Sequence, residues 1–362
     1  MPHPTLSRRT LNRALLARQS LTARGHAPAL GVIEHLVGVQ AQEPRAPYIG
    51  LWSRLADFRP EELSALIADR RAVRLGLMRS TIHLVSARDC LRLYPLMRPV
   101  LERTFKGSSF SKQVAGVDLE DLLARGHELL AAEPRTRSEL SRLLGELWPG
   151  VDSASLANAV TFLTPLVQVP PRGLWRQSGQ PRLTTAQAWL GQGLDSGPSL
   201  PDVVLRYLAA FGPATVKDVQ AWCGLTRIRG IVDQLGDRLR LFADEAGNEL
   251  LDTLDGPLPD PDVPVPPRFL APFDNAILAH ADRSRIIALE DRDSVYRDRL
   301  MRTFLIDGFV AGTWRVDGST IGLRLLRRLS DDDRVAVTDE ASRLLEFVAP
   351  GADAPSVRIE DP

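Results

Sequence analysis

One order of elements recurs three times along this chain without repeating its letters, and it limits the fold more than any other feature. Residues 201–254 show it most clearly. PDVVLRYLAAFG puts Val204, Leu205, Leu208 and Ala209 on one helical face and stops at Gly212-Pro213. Thr215 is placed to cap a second helix, VKDVQAWCG, and a third follows in RIRGIVDQLGD. Leu239–Phe242, a turn through Asp244–Asn248 and Glu249–Leu251 read as strand, turn, strand. Helix, helix, helix, hairpin is the order of a winged helix.

Residues 118–190 give the same order. DLEDLLARGHELLAA comes first. Thr136 caps RSELSRLLGEL, Ser153 or Ser155 caps ASLANAVTFLTPLV, and a hairpin runs from Gln168 to Arg176. Residues 5–86 are a longer version: helices LSRRTLNRALLARQSL and ALGVIEHLVGVQ, then GLWSRL and PEELSALIADR, then a wing in VRLGLMRSTIHLVS. FKGSSFSKQVAGVD and GQGLDSGPSLP are Gly/Ser-rich and read as linkers. Beyond DGPLPDPDVPVPP, short strands are expected around FLAPFDNAILA, IIALE, FVAGTWRV and VAVTD, before a closing helix DEASRLLEFV. The expected fold class is therefore α+β, mainly α. Its units are 1–110, 118–190 and 198–256, with a mixed α/β region at 265–362.

The formal net charge of +0 argues against a purely electrostatic nucleic-acid binder, but not against a basic groove balanced elsewhere. The positive charge is almost all arginine, suited to bidentate phosphate contact; the only lysines are Lys106, Lys112 and Lys217. Cys90 and Cys223 form no CxxC pair, no histidine has zinc-site spacing to another, and no metal or cofactor is expected. No apolar run approaches a membrane span and MPHPTLSRRTLNR has no h-region, so the expectation is a cytoplasmic protein. GxSxG, HExxH, P-loop and GxGxxG signatures are absent.

Chemistry concentrates in Gly38-Val39-Gln40-Ala41-Gln42-Glu43-Pro44-Arg45-Ala46-Pro47-Tyr48. The prolines forbid the preceding helix from continuing, and alternation puts Gln40 and Gln42 on one face of an extended segment. Two amides at a helix end also read simply as a cap. His83 follows Arg79, Ser80 and Thr81, and His280 precedes Asp282 and Arg283, each in an expected strand. Either histidine is equally a satisfied structural residue. Arg283 and Arg285 could meet phosphate or close a salt-bridged turn.

GVQAQEPRAPYIGLWSRL, MRSTIHLVSARD, YLAAFGPATVKDVQAWCGL, FLAPFDNAILAHADRSRI and VAGTWRV together resemble, in order, the winged-helix DNA glycosylases of the AlkZ/YcaQ type, over nearly the whole chain. The resemblance implies three tandem winged-helix motifs forming a C-shaped DNA channel. It also implies a Gln-apolar-Gln catalytic motif, here Gln40-Ala41-Gln42, as in the azinomycin-resistance branch; the branch with Asp at the second position does not match Gln42. On this reading the protein is a monomeric, monofunctional glycosylase. It acts on double-stranded DNA bearing cationic N7-alkylated purines, bulky adducts or interstrand crosslinks. Candidate DNA contacts are Arg45, Tyr48, Trp52, Arg79, Thr81, His83, Asn275, His280, Asp282, Arg283 and Arg285. Glu43 is a possible base if it turns inward. A lesion-probing hairpin is expected after 278–283 or around 309–314. The alternatives are a non-catalytic winged-helix regulator and an interaction module that uses the fold without DNA.

Overall fold

The computed structural model describes residues 3–362 and is mainly helical, with three separate sheets. In the third segment helices Leu200–Phe211, Val216–Cys223 and Arg229–Leu235 precede the hairpin Leu239–Asp244/Glu249–Thr253. Thr215 and Asp218 exchange side-chain and backbone bonds in a capping box, and Gly224 ends the second helix in the left-handed region at φ 83. The second segment has helices Leu119–Ala132, Arg137–Leu147 and Ser153–Leu163. Thr136 and Glu139 form its capping box. The third of these helices is capped by Asp152, whose carboxylate accepts from Ser155 N–H, rather than by Ser153 or Ser155. The first segment has helices Arg8–Arg18, Ala29–His35, Ala46–Arg54 and Pro60–Ala68, then the hairpin Ala72–Gly76/Ile82–Ser86.

The sheets join segments that are distant in sequence. The six-stranded sheet runs Val39–Gln40, Ile82–Ser86, Ala72–Gly76, Leu166–Val169, Arg182–Thr185, Arg135–Thr136, with every pairing antiparallel. Arg74 faces Gln168 in its middle, so the hairpins of the first two segments share one sheet. Thr5–Leu6 pairs in parallel with Leu239–Asp244, joining the first residues to the third hairpin. The helix behind that strand is tied to the same distant region. Arg18 forms a bidentate pair with buried Asp252 at 2.6 and 2.9 Å, and Asn12 donates to the carbonyls of Arg285 and Gly308. One hydrophobic cluster accordingly runs through Leu15, Tyr48, Leu84, Tyr207, Trp222, Ile277 and Val310. The second segment has its own, built on Leu122, Leu140, Leu144, Leu156 and Val160.

Several expectations are corrected. FKGSSFSKQVAGVD is not an open linker. A helix, Ala87–Lys106, runs into it despite Pro95 and Pro99, and a short one follows at Ser109–Gln113. VAVTD lies inside the helix Asp331–Val348, not in a strand; Ser330 caps it, and Asp331, Asp332 and Asp333 favour its positive N-terminal dipole. IIALE is irregular. FLAPFDNAILA holds only the strand Arg268–Phe269 before the helical turn Asn275–Leu278. That strand heads a five-stranded sheet completed by Thr303–Ile306, Phe309–Asp317, Thr320–Leu325 and Ser356–Glu360. No helix among the described residues is long and apolar enough to cross a membrane.

Candidate active site

The glutamine segment is not a helix end: Gln40 closes the short strand Val39–Gln40, and Gln42 follows in a bend. The helix Ala29–His35 stops nine residues before Pro44, because Val37 (φ 54) and Gly38 (φ 92) turn left-handed and Gly38 N–H donates back to the Ile33 carbonyl at 2.8 Å. A β-branched residue in that region is a backbone outlier. The next position admits only glycine: a Cβ on Gly38 would lie 2.6 Å from Val85 Cγ1. Val39–Gln40 then pairs with His83–Leu84, and Ala41 N–H donates to the Ile82 carbonyl at 2.7 Å. Pro47 sits in the first turn of the following helix, where a missing N–H costs nothing. Two side chains hold the strand's backbone from outside it. Asn275 Nδ2 donates to the Gly38 carbonyl at 2.9 Å, and Arg74 Nη2 donates to the Ala41 carbonyl, between the two glutamines, at 2.7 Å.

Gln40 is buried, and its Oε1 accepts from Arg79 Nη2 at 2.8 Å. Arg79 Nη1 donates onward to the Trp222 carbonyl at 2.6 Å. Gln42 is exposed, and its Oε1 accepts from Ile82 N–H at 3.2 Å. The Glu43 carboxylate accepts from Arg45 N–H at 2.9 Å, which turns it toward the start of the next helix rather than toward the glutamines. His83 is fully buried opposite Gln40. Its Nδ1–H donates to the Thr81 carbonyl at 3.0 Å, leaving Nε2 bare. Burial, and then the Arg79 charge, push its pKa down to about 3, so the ring is neutral and far too weak a base to take a proton from water near pH 7.

Gln42 opens onto a cleft of about 610 Å³ between the first two segments. Arg74, Arg137 and Arg172 line it together with Gln168 and Gln180, and no carboxylate does. Arg74 is buried, with Nε and Nη1 unpartnered; desolvation, then the Arg172 charge, lower its pKa to about 10. The charged members of the lining are therefore all positive, and they suit a polyanion.

The other candidate residues divide into two groups. Arg79 and Thr81 stand on the hairpin beside the motif, Arg45 is exposed above the Trp175 ring at 5.6 Å, and half-buried Arg283 donates to the Tyr296 hydroxyl at 3.0 Å. The Arg283 charge helps lower the Arg79 pKa to about 10, after burial, so the two guanidiniums are neighbours. Five others are buried and bond inside the protein, although His83 Nε2 and Asn275 Oδ1 keep no partner. Tyr48 donates to the Gly173 carbonyl at 2.8 Å, supporting the loop beside the cleft. His83 and Asn275 hold the hairpin turn and the Gly38 carbonyl. His280 lies in no strand; its Nε2–H donates to the Phe211 carbonyl at 3.0 Å, and Arg285 donates to that of Pro213 at 2.8 Å. Trp52 belongs elsewhere too, stacked on Phe347 of the C-terminal helix at 5.8 Å. Asp282 is exposed but closes its own turn through Ser284.

Of the two stretches expected to probe a lesion, the first is no hairpin tip, and Ala281 N–H is bound to Asp218 at 2.8 Å. The second adjoins one: Asp307-Gly308 turns the strand Thr303–Ile306 into Phe309–Asp317, and Asp307 is held there by Arg9 and Arg13. Arg74, Arg137 and Gln168 were not expected in the site. Arg74 sits in a wing strand, where charge reads as outward-facing, and only the shared sheet brings Gln168 beside it. Among the described residues no group of three or more His, Cys, Asp or Glu could hold a metal ion.

The family described as "DNA glycosylase AlkZ-like" matches residues 33–347. An interstrand DNA cross-link repair glycosylase of Streptomyces sahachiroi is 24% identical over 338 residues, covering 83% of this chain and 85% of that protein. The solved structure of the Streptomyces sahachiroi DNA glycosylase AlkZ superposes with a TM-score of 0.80 at 21% identity, covering 98% of this chain and 100% of that one.

Proposed function

The chain belongs to the AlkZ-like DNA glycosylase family, and from that premise we propose that Gln40 and Gln42 carry the hydrolysis of N7-alkylated purine nucleotides in duplex DNA, crosslinked ones included. The observation that supports this most is position: the Gln-Ala-Gln segment, braced at the Gly38 and Ala41 carbonyls, presents Gln42 to an arginine-lined cleft without carboxylates. The three segments, each a run of helices closed by antiparallel strands, read as tandem winged helices that bind the duplex, and the relative named for crosslink repair supports the bulkier substrates.

An amide takes up no proton at neutral pH. Glu43 is turned away and His83 is neutral and sealed, so no general base is at hand. An N7-alkylated purine needs none, because its ring is already cationic. The N9–C1′ bond breaks with both electrons going to the base, which leaves neutral. Water adds to the oxocarbenium carbon, and the proton that the new hydroxyl sheds passes to solvent. The protein's part is to place that water and to set a carbonyl dipole against the positive sugar. Gln42, exposed at the cleft, is the carbonyl for that task.

The test is release of 7-methylguanine from methylated duplex DNA under single-turnover conditions. Gln42→Ala and Gln40→Ala should each fall toward the spontaneous rate, with uracil in the same duplex untouched. Full activity in the double glutamine variant, or uracil excision at a comparable rate, refutes the reading.

A further inference from the structure

We infer that Arg79 is a positioning residue that sets which end of the Gln40 amide is presented to DNA, an inference that rests on Gln40 being catalytic. A guanidinium only donates, so the Gln40 atom 2.8 Å from Arg79 Nη2 is the carbonyl oxygen. The other end, Nε2, has no protein partner and is not among the fully buried unpartnered atoms, so it keeps access to solvent in a residue only 7% exposed. Gln40 therefore offers hydrogens outward, while its oxygen is held inward.

The surroundings fix Arg79 from several directions. Its Nη1 bond to the Trp222 carbonyl anchors it to the helix Val216–Cys223, far away in sequence. Arg79 and Ser80 stand consecutively in the left-handed region at φ 55 and 57, a conformation non-glycine residues hold only when neighbouring contacts offset its cost. Gly224 packs against that turn: a Cβ there would touch the Arg79 backbone nitrogen at an ordinary contact distance of 3.4 Å and press on Val100 Cγ1 at 3.0 Å. The strained tip thus delivers one guanidinium to one amide.

The two glutamines are then unequal. Gln42 keeps a free carbonyl lone pair beside its bond from Ile82 N–H, and works as the acceptor. Gln40 works as a donor to an oxygen of the substrate strand, and only for as long as Arg79 keeps the amide from turning over.

Single-turnover release of 7-methylguanine, DNA affinity and melting temperature of Arg79→Ala, Arg79→Lys and Gln40→Glu test this. Arg79→Ala should lose about tenfold or more in rate at saturating enzyme, the scale of a hydrogen bond to a charged group, with affinity changed less than the rate. Millimolar guanidinium should restore part of that rate and leave Gln40→Ala unimproved. Gln40→Glu keeps the partner of Arg79 but loses the amide hydrogens; it should melt no lower than wild type and still be slow. If Arg79→Ala does not fold, Arg79→Lys, with its charge kept and its fork lost, is read in its place. A saturating rate within twofold of wild type for the folded Arg79 variant overturns the inference, as does a Gln40→Glu protein of wild-type rate. Full activity in Gln40→Ala instead overturns the catalytic reading beneath it.

Discussion

Gly31 and Gly38 lie seven positions apart, and replacing each by alanine should have opposite effects. Gly31 is inside the helix Ala29–His35, with nothing within 4 Å of where a Cβ would sit. Alanine there should stabilise by about 0.5–1 kcal/mol, by removing freedom from the unfolded chain and improving helix propensity. Gly38 is at φ 92, and its Cβ would meet Val85 Cγ1 at 2.6 Å and the Leu84 carbonyl at 3.2 Å. Both neighbours lie in the buried strand Ile82–Ser86, so neither can swing away. The left-handed backbone costs an alanine about 1–2 kcal/mol, and forcing a methyl into a packed core costs about 1–3 kcal/mol, so Gly38→Ala should lose about 2–5 kcal/mol. The same shift moves Gln40 and the carbonyl that Asn275 holds, so the glycosylase rate should fall beyond the fraction of protein unfolded. Urea unfolding followed by tryptophan fluorescence, with single-turnover rates on the same preparations, measures both. Equal stability for the two variants, within about 0.5 kcal/mol, would refute the account of the turn.

Asp274→Ala should destabilise by about 3–5 kcal/mol, because it leaves the Arg54 guanidinium buried and unpaired where two bonds of 2.7 and 2.9 Å now hold it; chemical denaturation reports this. Burial first, with the Arg79 charge at His83 and the Arg285 charge at His280, holds both native histidines at about 3. An unfolded histidine titrates near 6.5, so the unfolded chain binds protons that the native one refuses. Stability should be full above about pH 6.5 and fall as the pH drops toward 3, by up to about 1.4 kcal/mol per unit for each ring. His83→Gln should flatten that slope in melts between pH 5 and 7; an unchanged slope counts against it. Arg137→Ala and Arg172→Ala should weaken binding to undamaged and methylated duplexes alike, each lowering the slope of log K against log salt by about 1, while saturating rates stay near wild type.

Local chemistry in the sequence carried the second and third segments furthest. Thr136, Thr215 and Gly224 act through bonds within a few residues of themselves, so their meaning is visible in the letters. VAVTD reads as a strand because its alternation competes with a helix signal placed earlier, at Ser330 and the three aspartates. Pro95 and Pro99 hid a twenty-residue helix that tolerates them. Within the site, the glutamine pair was legible but its backbone was not. Nothing in Leu36-Val37-Gly38 announces that a valine will accept a left-handed turn, which tertiary packing imposes. His83, His280 and Arg285 looked chemical because polar residues in unburied context invite ligands. Burial, a property of the whole fold, turned them inward. Arg74 was missed for the reverse reason.

The Arg8–Arg18 helix leaves the ribosome well before its partner, since its buried ion pair, Arg18 with Asp252, spans 234 positions. At about 5–20 residues per second, the arginine waits roughly 10–50 s for its carboxylate. Through that interval Leu15 and Leu16, fully buried in the finished protein, lack most of their cover. The nascent chain therefore carries an amphipathic helix whose proper occupant is still being made. Its yield in a cell should depend on chaperones that shield that face, and on translation pauses, more than its final stability would suggest.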